Sequence, residues 1–302
     1  MNKISTKRDL MKNWKLYLMV LPVLIFYGVF CYKPIYGAII AFQSYSPGKG
    51  IAGSKWVGFD NFKMFFESRF FARSLINTLR ISCTSIFFGF PAPIILALLI
   101  NELKNKKFVK VVQTITYLPY FISLVVICGL VTTFVSERGI INSLVSLFGV
   151  AKENMLNNPA RFLPIYVISE IWQGVGWGSI IYLAAIAGID QELYEASYID
   201  GAGRFKQTIH ITIPSIMPTI LTLFILRLGQ VMNVGFEKII LLYNPITYET
   251  ADVISTFVYR VGLLEANYGY STAVGLFNSL INFILVYVAN VLSRKYADSG
   301  LW

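Results

Sequence analysis

Side chains able to do chemistry are sparse in this sequence and fall into two groups. One is the stretch EASYIDGAGRFKQTIHITIP, residues 195–214, which holds Asp200, Arg204, Lys206, Gln207 and the single histidine, His210. The other is scattered through apolar sequence as Glu170 with Gln173, Arg227 with Gln230 and Asn278 with Asn282, each pair spaced to share one face of a helix. One histidine makes a zinc enzyme improbable, and three cysteines, Cys31, Cys83 and Cys128, all in apolar segments, argue against a disulfide framework or a metal site. No paired aspartates and no Ser/His pair stand ready for hydrolysis. GKGIAGSK, residues 48–55, places Ser54 before Lys55, whereas a phosphate loop needs Lys before Ser or Thr; it reads as a flexible outer turn. What remains is non-covalent chemistry. Amides and opposite charges can hydrogen-bond the polar groups of a small molecule while the faces of Trp172, Trp177 and Tyr182 pack on its apolar faces.

The elements that hold these groups follow from composition. Of 302 residues, 56% are hydrophobic and 14% charged, where a soluble domain carries about 25% charged residues. This is the composition of a membrane protein. A hydrocarbon core about 30 Å thick and a helical rise of about 1.5 Å per residue require roughly 20 mostly uncharged residues per span. Six segments qualify, at 16–42, 75–100, 111–135, 162–189, 213–234 and 270–292, with Lys33-Pro34 reading as the outer end of the first. Barrel strands would alternate over about ten residues, and none does. The expected fold is therefore an all-α integral membrane protein with six transmembrane helices over residues 16–292, because only a helix satisfies its backbone within one open segment in lipid.

An even number of spans puts both termini on one side. Lys3, Lys7, Arg8, Lys12 and Lys15 crowd the first span, and Lys104, Lys106, Lys107 and Lys110 flank a short loop, which assigns both ends to the cytoplasm. Residues 1–15 are then a basic cytoplasmic N-terminus, 190–212 a cytoplasmic loop and 293–302 a cytoplasmic tail. The net charge of +10 is better explained by anionic lipid headgroups than by nucleic acid. The first segment is too long for a cleaved signal peptide and lacks a small-residue cleavage site. Trp14, Trp56 and Trp302 read as interfacial anchors.

Within the loop, Asp190 is an N-cap for a helix over 190–200, with Glu192 and Glu195 in its early turns, where they suit the helix dipole. Gly201 permits a reversal that a Cβ would strain, and Ala196, Ser197, Ala202 and Gly203 leave room for another protein's surface. Pro214 is expected to restart the helix at the head of span five.

Glu195-Ala196-Ser197, Gly201, Ile211, Ile213 and Pro214 have the spacing E-A-A-x3-G-x9-I-x-L-P, with Ser197 for the second Ala and Ile213 for Leu. This resembles the EAA loop of binding-protein-dependent ABC transporter permeases. WVGFDNFKMFF (56–66), GIINSL (139–144) and LYNPITYETADVISTFVYRVGL (242–263) resemble outer segments of maltose-type sugar permeases. The tail SRKYADSGLW resembles the LplB-like polysaccharide and oligosaccharide subgroup. The resemblance implies the type I importer permease fold and half of a translocation pathway, with no catalytic residue and no cofactor of its own. It also implies a second, different permease subunit, two ATPase subunits carrying ATP and Mg, an extracytoplasmic solute-binding protein, and a place in a bacterial cell membrane. Glu195, Ala196, Ser197, Asp200, Gly201, Ile211 and Pro214 would then couple the chain to the ATPase.

Depth arithmetic gives the candidate pathway. Glu170 lies about 12 Å below the outer end of span four, Arg227 about 10 Å below that of span five and Asn278 about 12 Å into span six. Gln173, Trp177, Gln230 and Asn282 complete the set. Two readings stay open, a sugar pathway or a buried ion pair with amides joining helices. Arg227 would favour an acidic oligosaccharide unless Glu170 neutralises it. The rival class is an ion-coupled secondary transporter, which would use a mid-membrane carboxylate; Glu170 is the one such group.

Overall fold

The structure is a computed structural model that describes residues 11–297; Lys3, Lys7 and Arg8 of the basic N-terminus and residues 298–302 of the tail, Trp302 included, lie outside the described residues. Among the described residues five helices are long and apolar enough to cross a membrane. A sixth, Pro159–Ala187, joins them when paired with Gln191–Ile199, from which it is bent by 71°. The only strands among these residues are Gln43–Ser44 and Lys55–Trp56, paired antiparallel with Gln43 opposite Trp56.

The chain divides into two compact units. Of the described residues, 11–67 and 261–276 form the first. Its long apolar segment, Trp14–Phe42, stays helical through Lys33-Pro34, where an end was expected. A π turn at Tyr27–Tyr32 precedes Pro34, and the widened turn accommodates the missing N–H and the ring. No residue of Trp14–Phe26 is buried. Beyond it, the Asn61 amide donates to the carbonyls of Ala41 at 2.8 Å and Gln43 at 3.1 Å, tying the small hairpin to the helix Asp60–Glu67.

Residues 68–260 and 277–297 form the second unit. Pro159–Ala187 runs through its centre, packed against Pro91–Asn101, Lys106–Tyr117 and Ile213–Leu228. The expected uninterrupted span over 111–135 is broken. Lys106–Tyr117 ends in a tight turn at Leu118–Phe121, and a new helix, Leu124–Val135, starts under a cap in which the Ser123 hydroxyl accepts from Val126 N. Pro119 withholds the N–H that would carry the helix on. Span five begins earlier than expected, at Arg204, and Pro214 lies inside it. A π turn at Thr208–Thr212 immediately precedes Pro214 and relieves the clash with the carbonyl four residues back. The last helix, Tyr268–Ala297, continues beyond the expected end at 292.

An ion cluster anchors the segment between spans five and six. The Asp252 side chain is wholly inaccessible; it accepts from Arg260 at 3.2 and 2.6 Å, from Thr256 Oγ1 at 2.8 Å and from Arg73 at 3.5 Å. The Arg260 guanidinium also lies 5.0 Å from the ring of Tyr248.

Candidate functional site

Two places in the second unit gather the residues singled out by sequence. The first is the loop after span four. The Asp190 side chain accepts from Glu192 N at 3.0 Å and starts the helix Gln191–Ile199. The helix ends as a Schellman motif. Gly201 N donates to Tyr198 O at 3.0 Å, and Ala202 N to Ser197 O at 2.9 Å. Gly201 has φ +77°, the left-handed value that this closure demands. A second layer of bonds clasps the two arms of the loop. Gln207 donates to Ser197 Oγ at 2.9 Å, and the hydroxyls of Tyr194 and Thr212 lie 2.9 Å apart. Arg204 reaches Glu102, at the end of span two, at 3.3 Å.

Glu195, Ala196, Asp200, Gly201 and Pro214 are exposed. Ile211 is half-buried against the cluster of Ala97, Tyr182, Ile186 and Ile216, which roots the loop in the helices. Tyr198, Ile199 and Phe205 are each at least 78% exposed.

The second place is where spans four, five and six meet. Glu170 and Arg227, placed at similar depth by helical rise, form an ion pair with Nη2 to Oε1 at 2.6 Å. The pair separates two cavities. One, of about 270 Å³, is lined by Phe90, Pro93, Gly174, Gly178, Tyr182 and Leu223 as well as the pair itself. The other, of about 50 Å³, is of mixed character, lined by Ser82, Gln230 and Asn233 beside Ile86, Val231 and Val234. Asn278 donates to Asn233 Oδ1 at 2.6 Å, and Asn282 Oδ1 accepts from Met232 N at 3.0 Å, so both amides bind the turn after span five to span six. Each keeps a buried polar atom without a hydrogen bond, Asn278 Oδ1 and Asn282 Nδ2. The structure does not bring Gln173 or Trp177 to either cavity. Gln173 is half-buried, and Trp177 stacks on Tyr120 with ring centroids 4.7 Å apart.

Lys238 was not among the residues that sequence reasoning selected. It lies on Phe236–Leu242, is 5% exposed, and its ammonium has no hydrogen-bond partner. It stands 5.5 Å from the centroid of the Tyr166 ring. Burial lowers its pKa from 10.5 to about 8, and Glu170 opposes the fall. The unfolded chain therefore holds more protons than the folded one between about pH 8 and pH 10.5, and folding stability rises as pH climbs through that window. Lys238→Met should remove this slope and raise the thermal midpoint at pH 7 by about 3 °C, the shift made by roughly 1 kcal/mol in a domain of this size. Midpoints of the detergent-solubilised protein at pH 7 and pH 9 test both statements; an unchanged slope in the variant, or an unraised midpoint at pH 7, would refute the corresponding one.

Among the described residues, five helices long and apolar enough to cross a membrane, or six with the bent pair, are those of a polytopic membrane protein. The chain belongs to the family described as binding-protein-dependent transport system inner membrane component, whose model matches residues 83–298. It is 42% identical over 299 residues to Protein LplB of Bacillus subtilis (strain 168), covering 99% of this chain and 93% of that one. It is 43% identical over 288 residues to the polygalacturonan/rhamnogalacturonan transport system permease protein YteP of the same organism, covering 95% and 90%. The fold matches a chain of a bacterial alginate ABC transporter in complex with alginate pentasaccharide-bound periplasmic protein, with TM-score 0.91 and 46% identity over 99% of this chain and 100% of that chain. The protein is thus a multi-pass ABC importer permease, and its family sets aside the ion-coupled carrier.

Proposed function

We propose that this chain is one membrane half of an ATP-driven importer of acidic oligosaccharides. The observation that carries the reading is Arg227, half-buried at membrane depth beside a cavity of about 270 Å³. That volume is close to the lower end of the roughly 300 to 1,000 Å³ usual for ligand pockets. A guanidinium there suits a uronate carboxylate, which it can grip with two parallel bonds. Relatives that transport polygalacturonan/rhamnogalacturonan and the acidic polysaccharide alginate support the same substrate class.

In this reading both termini are cytoplasmic, residues 1–15 and 293–302 flank the membrane domain, and the loop 190–212 seats on an ATPase subunit. The complete machine adds a second, different permease, two ATPase subunits that bind ATP and Mg, and an extracytoplasmic solute-binding protein. The exposed side chains of Tyr198, Ile199 and Phe205 form the docking face. Closure of the ATPases moves the clasped loop as a rigid body and switches the cavity between inward-facing and outward-facing states.

The test is to purify the tagged permease gently from native membranes, identify its companions and reconstitute the complex for uptake of trigalacturonate, trimannuronate and arabinotriose. A nucleotide-binding subunit in the complex and preference for the acids are expected; a chain that purifies alone and transports without an ATPase would refute the proposal. Gln230→Leu removes one hydrogen-bonding group from the smaller cavity. It should change the ratio of acidic to neutral uptake by about fivefold, the effect of roughly 1 kcal/mol, with assembly intact. An unchanged ratio across the panel would remove Gln230 from the pathway.

A further inference from the structure

Two buried polar atoms near the membrane junction have no hydrogen-bond partner and carry opposite charge. One is Glu170 Oε2, the oxygen not used by Arg227; the other is Lys238 Nζ. An ammonium removed from water costs several kcal/mol unless it is paired, so its retention at this spot needs a reason.

The local backbone is built to bring the lysine here. Gly235, at φ +34°, begins the turn into Phe236–Leu242. A Cβ at that position would fall 1.7 Å from the Tyr166 hydroxyl oxygen, so the turn can lie against Tyr166 only as glycine. Lys238 then projects over the Tyr166 ring. Tyr166 is four residues before Glu170 on the same helix, one turn and about 6 Å along its axis. Glu170 is within electrostatic reach of Lys238. The lysine stem is flexible, and the exchange proposed below asks for rotation of the Lys238 and Glu170 side chains.

We infer that Glu170 exchanges partners, bound to Arg227 when the pathway is empty and to Lys238 when a substrate carboxylate takes its place on Arg227. This deepens the acidic-oligosaccharide reading and rests on it. The exchange keeps every carboxylate paired throughout: the substrate's with Arg227 and Glu170 with Lys238. A neutral sugar cannot displace Glu170, because it offers the guanidinium no charge in return. Lys238 is a positioning residue for selectivity, and it need never touch the substrate. Conflict between stability and function is the expected signature, since an unpaired ammonium weakens the empty protein and is needed only during passage.

The experiment uses the complete transporter, reconstituted with its partner subunits and binding protein, and compares wild type with Lys238→Met, Lys238→Arg, Glu170→Gln and the double variant Glu170→Gln/Lys238→Met. Uptake of labelled trigalacturonate, trimannuronate and arabinotriose is read beside ATPase activity in the absence of substrate. Lys238→Met should lower acidic uptake about tenfold in the wild-type background, with substrate-free ATPase activity retained, and Lys238→Arg should restore it. In the Glu170→Gln background Lys238→Met should change nothing, because no displaced carboxylate then needs a partner. Equal losses in both backgrounds would make Lys238 a packing residue and overturn the exchange, as would wild-type uptake by Lys238→Met. Wild type that imports neither acid, yet imports arabinotriose, overturns the substrate reading and the exchange with it.

Discussion

Gly201→Asp is expected to abolish uptake while leaving the permease folded. The space around Gly201 is open: a Cβ built there meets nothing within 4 Å. The strain of a non-glycine residue at φ +77° is about 1 to 2 kcal/mol, and Asp is among the residues that tolerate this region best. A loop clasped by Gln207–Ser197 and Tyr194–Thr212 survives that cost. Under the proposed docking the damage falls instead on the ATPase contact, where a charged side chain would replace bare backbone. Uptake should fall to background and ATPase co-purification should weaken at least about tenfold, equivalent to 1.4 kcal/mol. Gly201→Asn is the control, since it has nearly the same shape and backbone preference without the charge. It should keep most of the association; normal uptake by Gly201→Asp would instead remove this loop from the coupling path.

The second large effect concerns stability. Arg260→Met should destabilise the protein by about 3 kcal/mol, because removing one partner of a buried ion pair leaves the other charge stranded. Asp252 has no exposed surface of its own to turn to water, and its remaining cation, Arg73, stands at 3.5 Å without the two-pronged geometry of Arg260. At about 2 to 4 °C per kcal/mol the thermal midpoint should drop by roughly 6 to 12 °C. Asp252→Asn in the same background should recover part of the loss by discharging the stranded group. A midpoint within 2 °C of wild type for Arg260→Met would show that the cluster is solvated and contributes little.

Much of this arrangement is legible in sequence because it is local or periodic. Span positions follow from runs of uncharged residues, and the loop's entry and exit follow from Asp190 and Gly201, each acting within a turn of itself. Helical rise alone put Glu170 and Arg227 at similar depth, where they pair. Azimuth is different. Rise says nothing about the direction in which Trp177 points, and its side chain went to Tyr120. Lys238 escaped notice because FEKIILL reads as a short segment outside the spans, and only the turn at Gly235 carries it over Tyr166. The break at Pro119 and the helical turn that runs on ahead of Pro214 are not legible in sequence for a related reason. A proline marks a lost hydrogen bond, but whether the helix stops or widens depends on what packs around it.

The widened turn at Thr208–Thr212 has a meaning for anyone exchanging parts between such permeases. Each residue of an α-helix turns the chain by about 100°, and a π turn holds one residue more than the α turn it replaces. The rotational phase between the docking loop and the spanning segment is therefore set by residue number across five positions. A chimera that joins a foreign loop to this span one residue short would keep its hydropathy, its length within 1.5 Å and its surface pattern near the loop. Arg227 would nevertheless face a different direction, turned by about 100° about the axis of its own helix.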